Sequence, residues 1–230
     1  MKLFFHYCLF GFSNCYILGS DFSSGEEEPP KRKTPPLGRE AAGNAAQGAA
    51  RDAIIIDPGC MDEEILNFIE QNDYILRGIL VTHDHLNHVH GLRTIKRIYD
   101  VDIYGVNHII LDHKTNIVKD GDVLNLGPFR IEVISVPGHS SDSAAYRIEH
   151  FLFTGDVLSA GLVGNTASSY GAAVQMTALR SKILSQQGDI VVLPGHGPPS
   201  CLEAERHFNA GILYYDQNKN QRPVFSAEIW

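Results

Sequence analysis

Thr82-His83-Asp84-His85-Leu86-Asn87-His88-Val89-His90-Gly91 places four histidines within eight positions. In an extended segment, side chains two residues apart point the same way, so His83 and His85 can hold one ion while Asp84 faces away. Asp84 is then a solvated residue or a support for a ligand. Three further segments share the form that leads into this stretch. GILVT runs into His83, VISVPG into His139, VVLPG into His196, and FLFTG into Asp156. Each is an apolar strand that stops at Gly or Thr and then presents an imidazole or a carboxylate. Strand ends are where a rigid sheet aims side chains into a cleft, and these are the donor types of zinc and non-haem iron. Any one of these histidines alone fits a hydrogen-bonded surface or core residue; the set, with the His83-x-His85 pair, fits a metal centre.

The surrounding pattern alternates. Ile54–Ile56 reads as a buried strand and Asp62–Gln71 as a helix with Ile65, Leu66 and Ile69 on one face. Gly78–Thr82 is a strand, Gly91–Tyr99 a helix and Val101–Val106 a strand. Val123–Leu126 and Phe129–Val136 flank Gly127-Pro128, and Ala144–Ile148 and Phe151–Thr154 follow, all as antiparallel hairpins. Ala173–Ser185 reads as a helix and Ile190–Leu193 as a last strand. Tyr170 falls in the loop before that helix. After His196, ERHFNAGILYYDQNKNQ allows one helix and a tail. The N-terminal MKLFFHYCLFGFSNCYILGS has a broken apolar run and no Ala-x-Ala cleavage site, so it reads as two strands turning at Gly11–Ser13. Residues 22–51, rich in Pro, Ala and mixed charge, read as a disordered loop insertion in a single domain spanning 1–230.

The charge balance of 19 Lys+Arg against 27 Asp+Glu, net −8, argues against the basic surface of a nucleic-acid binder. No later stretch nears the ~20 apolar residues of a membrane span. Cys8, Cys15, Cys60 and Cys201 are scattered without CxxC pairing. That pattern suits reduced thiols and a cytoplasmic setting.

The ordered set HxHxNH, PGH139, TGD156 and PGH196GP resembles the metallo-β-lactamase fold superfamily, and within it the short glyoxalase-II-like hydrolases. Supporting stretches are Asn14-Cys15-Tyr16, Ile56-Asp57-Pro58-Gly59, Pro137-Gly138-His139-Ser140 and Gly195-His196-Gly197-Pro198-Pro199-Ser200. The resemblance implies an α+β fold, an αββα sandwich of two mixed sheets packed face to face with helices outside. It also implies a first metal held by His83, His85 and His139. Asp156 would bridge it to a second metal held by His88 and His196, and the remaining ligand position is occupied here by Asn87. Asp156, His196 and Asn87 are the candidate catalytic residues, and Ser140, Ser141 and Ser143 the expected supporting hydroxyls.

The implied activity is hydrolysis of a thioester or related ester-type bond in a small-molecule substrate, by a metal-bound water ionising near pKa ~7 as hydroxide. Asn87 departs from the family's aspartate. A neutral amide oxygen binds a dication more weakly than a carboxylate, so one strong Zn2+ site and a weak or missing second one are expected, with Fe2+ or Mn2+ as alternatives. His90, two residues past His88, is an open candidate ligand. Two other readings remain: a mononuclear Fe(II) enzyme resembling the persulfide dioxygenases, using His83, His139 and Asp156, and a metal-binding scaffold without catalysis.

Overall fold

The computed structural model describes residues 1–20 and 51–217. The insertion expected over 22–51 lies outside the described residues, except that Arg51 already opens a strand. The chain groups into two compact units, Met1–Val118 with Leu124–Arg130, and Lys119–Val123 with Ile131–Trp230.

The first unit begins with β1 (Lys2–Cys8) and β2 (Ser13–Gly19), an antiparallel hairpin in register from Lys2↔Gly19 to Cys8↔Ser13. Every residue of β2 is buried, so its run Cys-Tyr-Ile-Leu has apolar neighbours on both faces. Next come β3 (Arg51–Ile56), α1 (Glu63–Gln71), β4 (Tyr74–Leu80), α2 (Leu86–Val89), α3 (Leu92–Ile98) and β5 (Ile103–Gly105). The short β6 (Ile109–Ile110), β7 (His113–Lys114) and β8 (Asn116–Ile117) complete it. The six-stranded sheet is ordered β1-β2-β3-β4-β5-β8. It is antiparallel up to β3 and parallel beyond it. Parallel neighbours need a crossover, which α1 supplies between β3 and β4, and α2 with α3 between β4 and β5.

Helix α1 starts where the sequence places it because the Asp62 carboxylate accepts a hydrogen bond from the Ile65 N–H at 3.1 Å, satisfying one of the orphan donors of the first turn. Glu63 and Glu64 add negative charge at the positive end of the helix dipole. Ile65 and Ile69, one turn apart, are fully buried against Ile17, Ile55 and Ile79.

The second six-stranded sheet is built on β9 (Val123–Leu126), β10 (Phe129–Ser135), β11 (Ala144–Ile148), β12 (Phe151–Gly155), β15 (Val191–Pro194) and β16 (Ser200–Cys201), of which Leu124–Arg130 group with the first unit and the rest with the second. Between β12 and β15 lie the ribbon β13 (Leu158–Ser159) and β14 (Leu162–Val163) and then α4 (Ser169–Ala178). The sheet order is β16-β15-β12-β11-β10-β9, mixed, with β12 and β15 parallel. Its core sets Ala145, Leu152 and Val192 against Met176, Leu179 and Ile183.

Three expectations are revised here. Helix α4 begins four residues before Ala173, because the Ser168 hydroxyl caps it by accepting from the Gly171 N–H at 3.0 Å; Tyr170 is therefore in its first turn, and it is exposed. A π-helical turn, Leu179–Ile183, continues that helix. The segment after His196 makes two helices, α5 (Leu202–Phe208) and α6 (Ala210–Gln217). Asn209 divides them: its amide donates to Glu205 Oε2 at 2.6 Å while its Oδ1 accepts from the Ile212 N–H. Among the described residues no helix is long and apolar enough to cross a membrane.

Ile69 carries the packing of α1 at 0 % exposure. Ile69→Ala is expected to lower the urea unfolding free energy by about 2–5 kcal/mol, whereas truncating exposed Glu63 should change it by less than about 0.5 kcal/mol.

Candidate metal centre

In the first unit the parallel strands β3 and β4 end side by side, Ile56 opposite Leu80. Their ends deliver Asp57 and the Thr82–His83 step. Asp57 is not a glycine yet adopts a positive φ of 48°, a conformation costing on the order of 1–3 kcal/mol. It turns the carboxylate inward, where Oδ1 accepts from the Thr82 N–H at 2.8 Å and Oδ2 from the Thr82 hydroxyl at 2.6 Å. The hydroxyl has one hydrogen, spent on Asp57. The 3.1 Å contact between Thr82 Oγ1 and His83 Nδ1 therefore has the ring donating, which puts the His83 lone pair on Nε2. The same Asp57 oxygen accepts from His88 Nδ1 at 3.2 Å, which likewise puts the lone pair of His88 on Nε2. One buried carboxylate thus sets the tautomer of two histidines.

His83 Nε2 lies 3.0 Å from His85 Nδ1, so these two nitrogens converge as expected for an alternate pair. The His83 ring centroid is 4.5 Å from that of His85 and 4.3 Å from that of His88. His83 and His88 are buried and His85 is exposed. Asn87 is held from behind by backbone: the Ser13 hydroxyl donates to its carbonyl at 2.5 Å, and a side chain at Gly59 would collide with that carbonyl. His90 is exposed and stacks on Phe10 with centroids 4.3 Å apart, a packing role for the one histidine the sequence left open.

In the second unit the same device recurs. Parallel β12 and β15 end together, and the Gly195 N–H donates to the Gly155 carbonyl at 2.7 Å, so Asp156 and His196 leave adjacent strand ends. His139 Nδ1 is 2.8 Å from the Asn165 carbonyl. A carbonyl only accepts, so Nδ1 carries the proton and Nε2 the lone pair. That Nε2 is 3.6 Å from Asp156 Oδ2, and His196 Nε2 is 3.5 Å from the same oxygen. One carboxylate oxygen facing two imidazole nitrogens is the arrangement of a bridging ligand. The turn carrying His139 is braced by the hydroxyls of Ser140 and Ser143, 2.7 Å apart, and by Gly138, whose φ of 145° and contact with Gln175 leave no room for a side chain.

Each unit therefore brings together its own share of the expected donors: His83, His85 and His88 in one, with Asn87 on the helical turn that carries His88, and His139, Asp156 and His196 in the other. Imidazole and carboxylate donors with these supports suit a divalent ion such as zinc, iron or manganese. Residue-by-residue reading gave no role to Asp57. Only its place beside the strand end in Ile56-Asp57-Pro58-Gly59 hints at one, because its partners are 25 and 31 residues away.

The family model of the metallo-beta-lactamase superfamily matches residues 48–196, which include every one of these donors. The chain belongs to that superfamily. The hydroxyacylglutathione hydrolase GloC of Haemophilus influenzae is 30% identical over 186 residues, covering 69% of this chain and 86% of that protein. Against several other hydroxyacylglutathione hydrolases that it matches, the chain spans about half their length. Among solved structures, the BLEG-1 B3 metallo-β-lactamase aligns with TM-score 0.71 at 21% identity, over 90% of this chain and 98% of that one. ETHE1 from Myxococcus xanthus aligns with TM-score 0.71 at 21% identity, over 96% and 92%. The two mixed sheets with their helices are thus the α+β metallo-β-lactamase fold.

Removing the Asp57 carboxylate should release both imidazoles it orients. Asp57→Ala is expected to weaken zinc binding about 10–100-fold, measured by competition with a chromophoric chelator; an unchanged affinity would remove Asp57 from the account.

Proposed function

We propose that this chain is a metal-dependent hydrolase of a thioester or related ester-type bond in a small molecule. One ion would be held by His83, His85 and His139. A second, weaker position would be formed by His88, His196 and the bridging Asp156, and zinc is the first choice of metal. The observation that carries this reading is the single Asp156 oxygen facing both His139 Nε2 and His196 Nε2, with the lone pair of His139 already placed on Nε2. The kinship with hydroxyacylglutathione hydrolases supports a thioester as the bond cleaved. The scatter of Cys8, Cys15, Cys60 and Cys201 along the sequence without CxxC pairing supports a reducing compartment, the cytoplasm.

When bound, the ion supplies a water of lowered pKa and a positive charge beside the scissile carbonyl. The rest falls to the chain. With Oδ2 in the bridging role, Asp156 would orient the attacking water by accepting its hydrogen bond through Oδ1. His196, about one-third exposed, lies where a leaving group can take up a proton from solvent. Asn87 contributes an amide, which neither neutralises a second dication nor accepts a proton as a carboxylate does.

Two measurements test this. Zinc-loaded protein should hydrolyse S-lactoylglutathione or a simple acyl thioester, and His139→Ala should lower the rate by at least ~100-fold, the scale of losing a principal electrostatic stabiliser. No thioester turnover, with oxygen consumed on a glutathione persulfide by the iron-loaded protein, would overturn the hydrolase reading in favour of a dioxygenase. In the second, Asn87→Asp should raise bound zinc from one ion per chain towards two, by elemental analysis. Two ions already present in the unsubstituted protein would contradict the role given to Asn87.

A further inference from the structure

A second donor cluster lies in the first unit, on residues that the proposed hydrolase centre does not use. His6 and Cys8 are two apart on β1 and face inward together, while Phe5 and Tyr7 between and beside them face solvent. Cys60 follows β3 in the Asp57-Pro58-Gly59-Cys60 loop. One ring nitrogen of His6 and the sulfurs of Cys8 and Cys60 all lie within 4.8 Å of one another. The two sulfurs are 2.8 Å apart.

We propose that His6, Cys8 and Cys60 form a separate metal site for one thiophilic ion of the Zn2+ class. Three donors of two residue types converge here, where a disulfide would need only two. The imidazole also has the support that ligating histidines have: His6 Nε2 is 2.7 Å from Asp62 Oδ2, a carboxylate that fixes the ring and raises its basicity. Asp62 is itself immobilised as the cap of α1 through its other oxygen. Two sulfurs and one nitrogen are a borderline-soft set, selecting zinc over magnesium or manganese. The fourth position falls to water, because Asp62 Oδ2 is taken up by the His6 ring.

Without an ion both thiols are protonated. The hydrogen bond with Cys15, together with burial, pushes Cys8 up to about 12, and the Cys8 contact and burial raise Cys60 further. Binding therefore displaces two protons to solvent as two sulfur–metal bonds form, with no change of oxidation state. Around a tetrahedral zinc the sulfurs would stand about 3.8 Å apart, twice a 2.3 Å bond resolved across the tetrahedral angle. A rotation of Cys60, which is partly exposed on its loop, provides that opening. An ion here would clamp β1 to the loop whose first residue, Asp57, orients His83 and His88.

Cobalt(II) tests this, because sulfur ligation gives a near-ultraviolet charge-transfer band that nitrogen and oxygen ligands do not. The reduced, metal-free full chain titrated with Co2+ should develop the band. His83→Ala and Cys201→Ser should keep it. Cys60→Ser and His6→Ala should weaken or abolish it while circular dichroism remains that of the unsubstituted protein. A reduced chain that shows no band overturns the proposal, whether its thiols count as free or reoxidise to a Cys8–Cys60 disulfide. A band of undiminished intensity in Cys60→Ser overturns it as well.

Discussion

The Asp57 carboxylate, buried and carried at a positive φ, is the interaction from which the histidine cluster takes its order. An imidazole has two nitrogens, and without a partner it offers an ion either one in either ring orientation. Asp57 removes that choice for His88 directly and for His83 through the Thr82 hydroxyl. The backbone strain is offset by three hydrogen bonds to a charged acceptor, each worth about 1.5–3 kcal/mol against an unsatisfied alternative. The glycines nearby follow from the same constraint. Gly59 is small because the carbonyl of Asn87 passes across it, and Gly91 because Pro58 and Cys60 press on it.

The second unit solves the equivalent problem with backbone alone. His139 is oriented by the Asn165 carbonyl, and the ends of β12 and β15 are tied by the Gly195–Gly155 hydrogen bond. In both units the donors leave strand ends, β4 in the first and β10, β12 and β15 in the second, where a stiff sheet sets the positions and a short loop sets the directions. That common plan explains why one sequence form, an apolar run ending in Gly or Thr before a His or Asp, occurs four times in this chain.

What was legible in the sequence was local. The alternate pair His83 and His85, the start of α1 at Asp62, and the apolar runs of β10, β11 and β12 rest on periods of two or 3.6 residues and on capping chemistry, all readable within a short window. What was missed depends on partners far along the chain. Asp57 acts on residues 25 and 31 positions away, and Cys60 meets Cys8 across 52. His90, open as a ligand by spacing, stacks on Phe10 of the β1–β2 turn, a partner 80 positions away that no short window contains. The early start of α4 followed from a serine cap not weighed at Ser168, and the break between α5 and α6 from the two-sided hydrogen bonding of Asn209.

The proposed hydrolase centre requires that His83, His85 and His139 serve one ion. Crystals grown with zinc and measured on either side of its absorption edge test it directly. A strong anomalous peak about 2.0–2.1 Å from His83 Nε2, His85 Nδ1 and His139 Nε2 together is the expected result. A peak bound by the histidines of one unit alone, or no peak near Asp156, would contradict it.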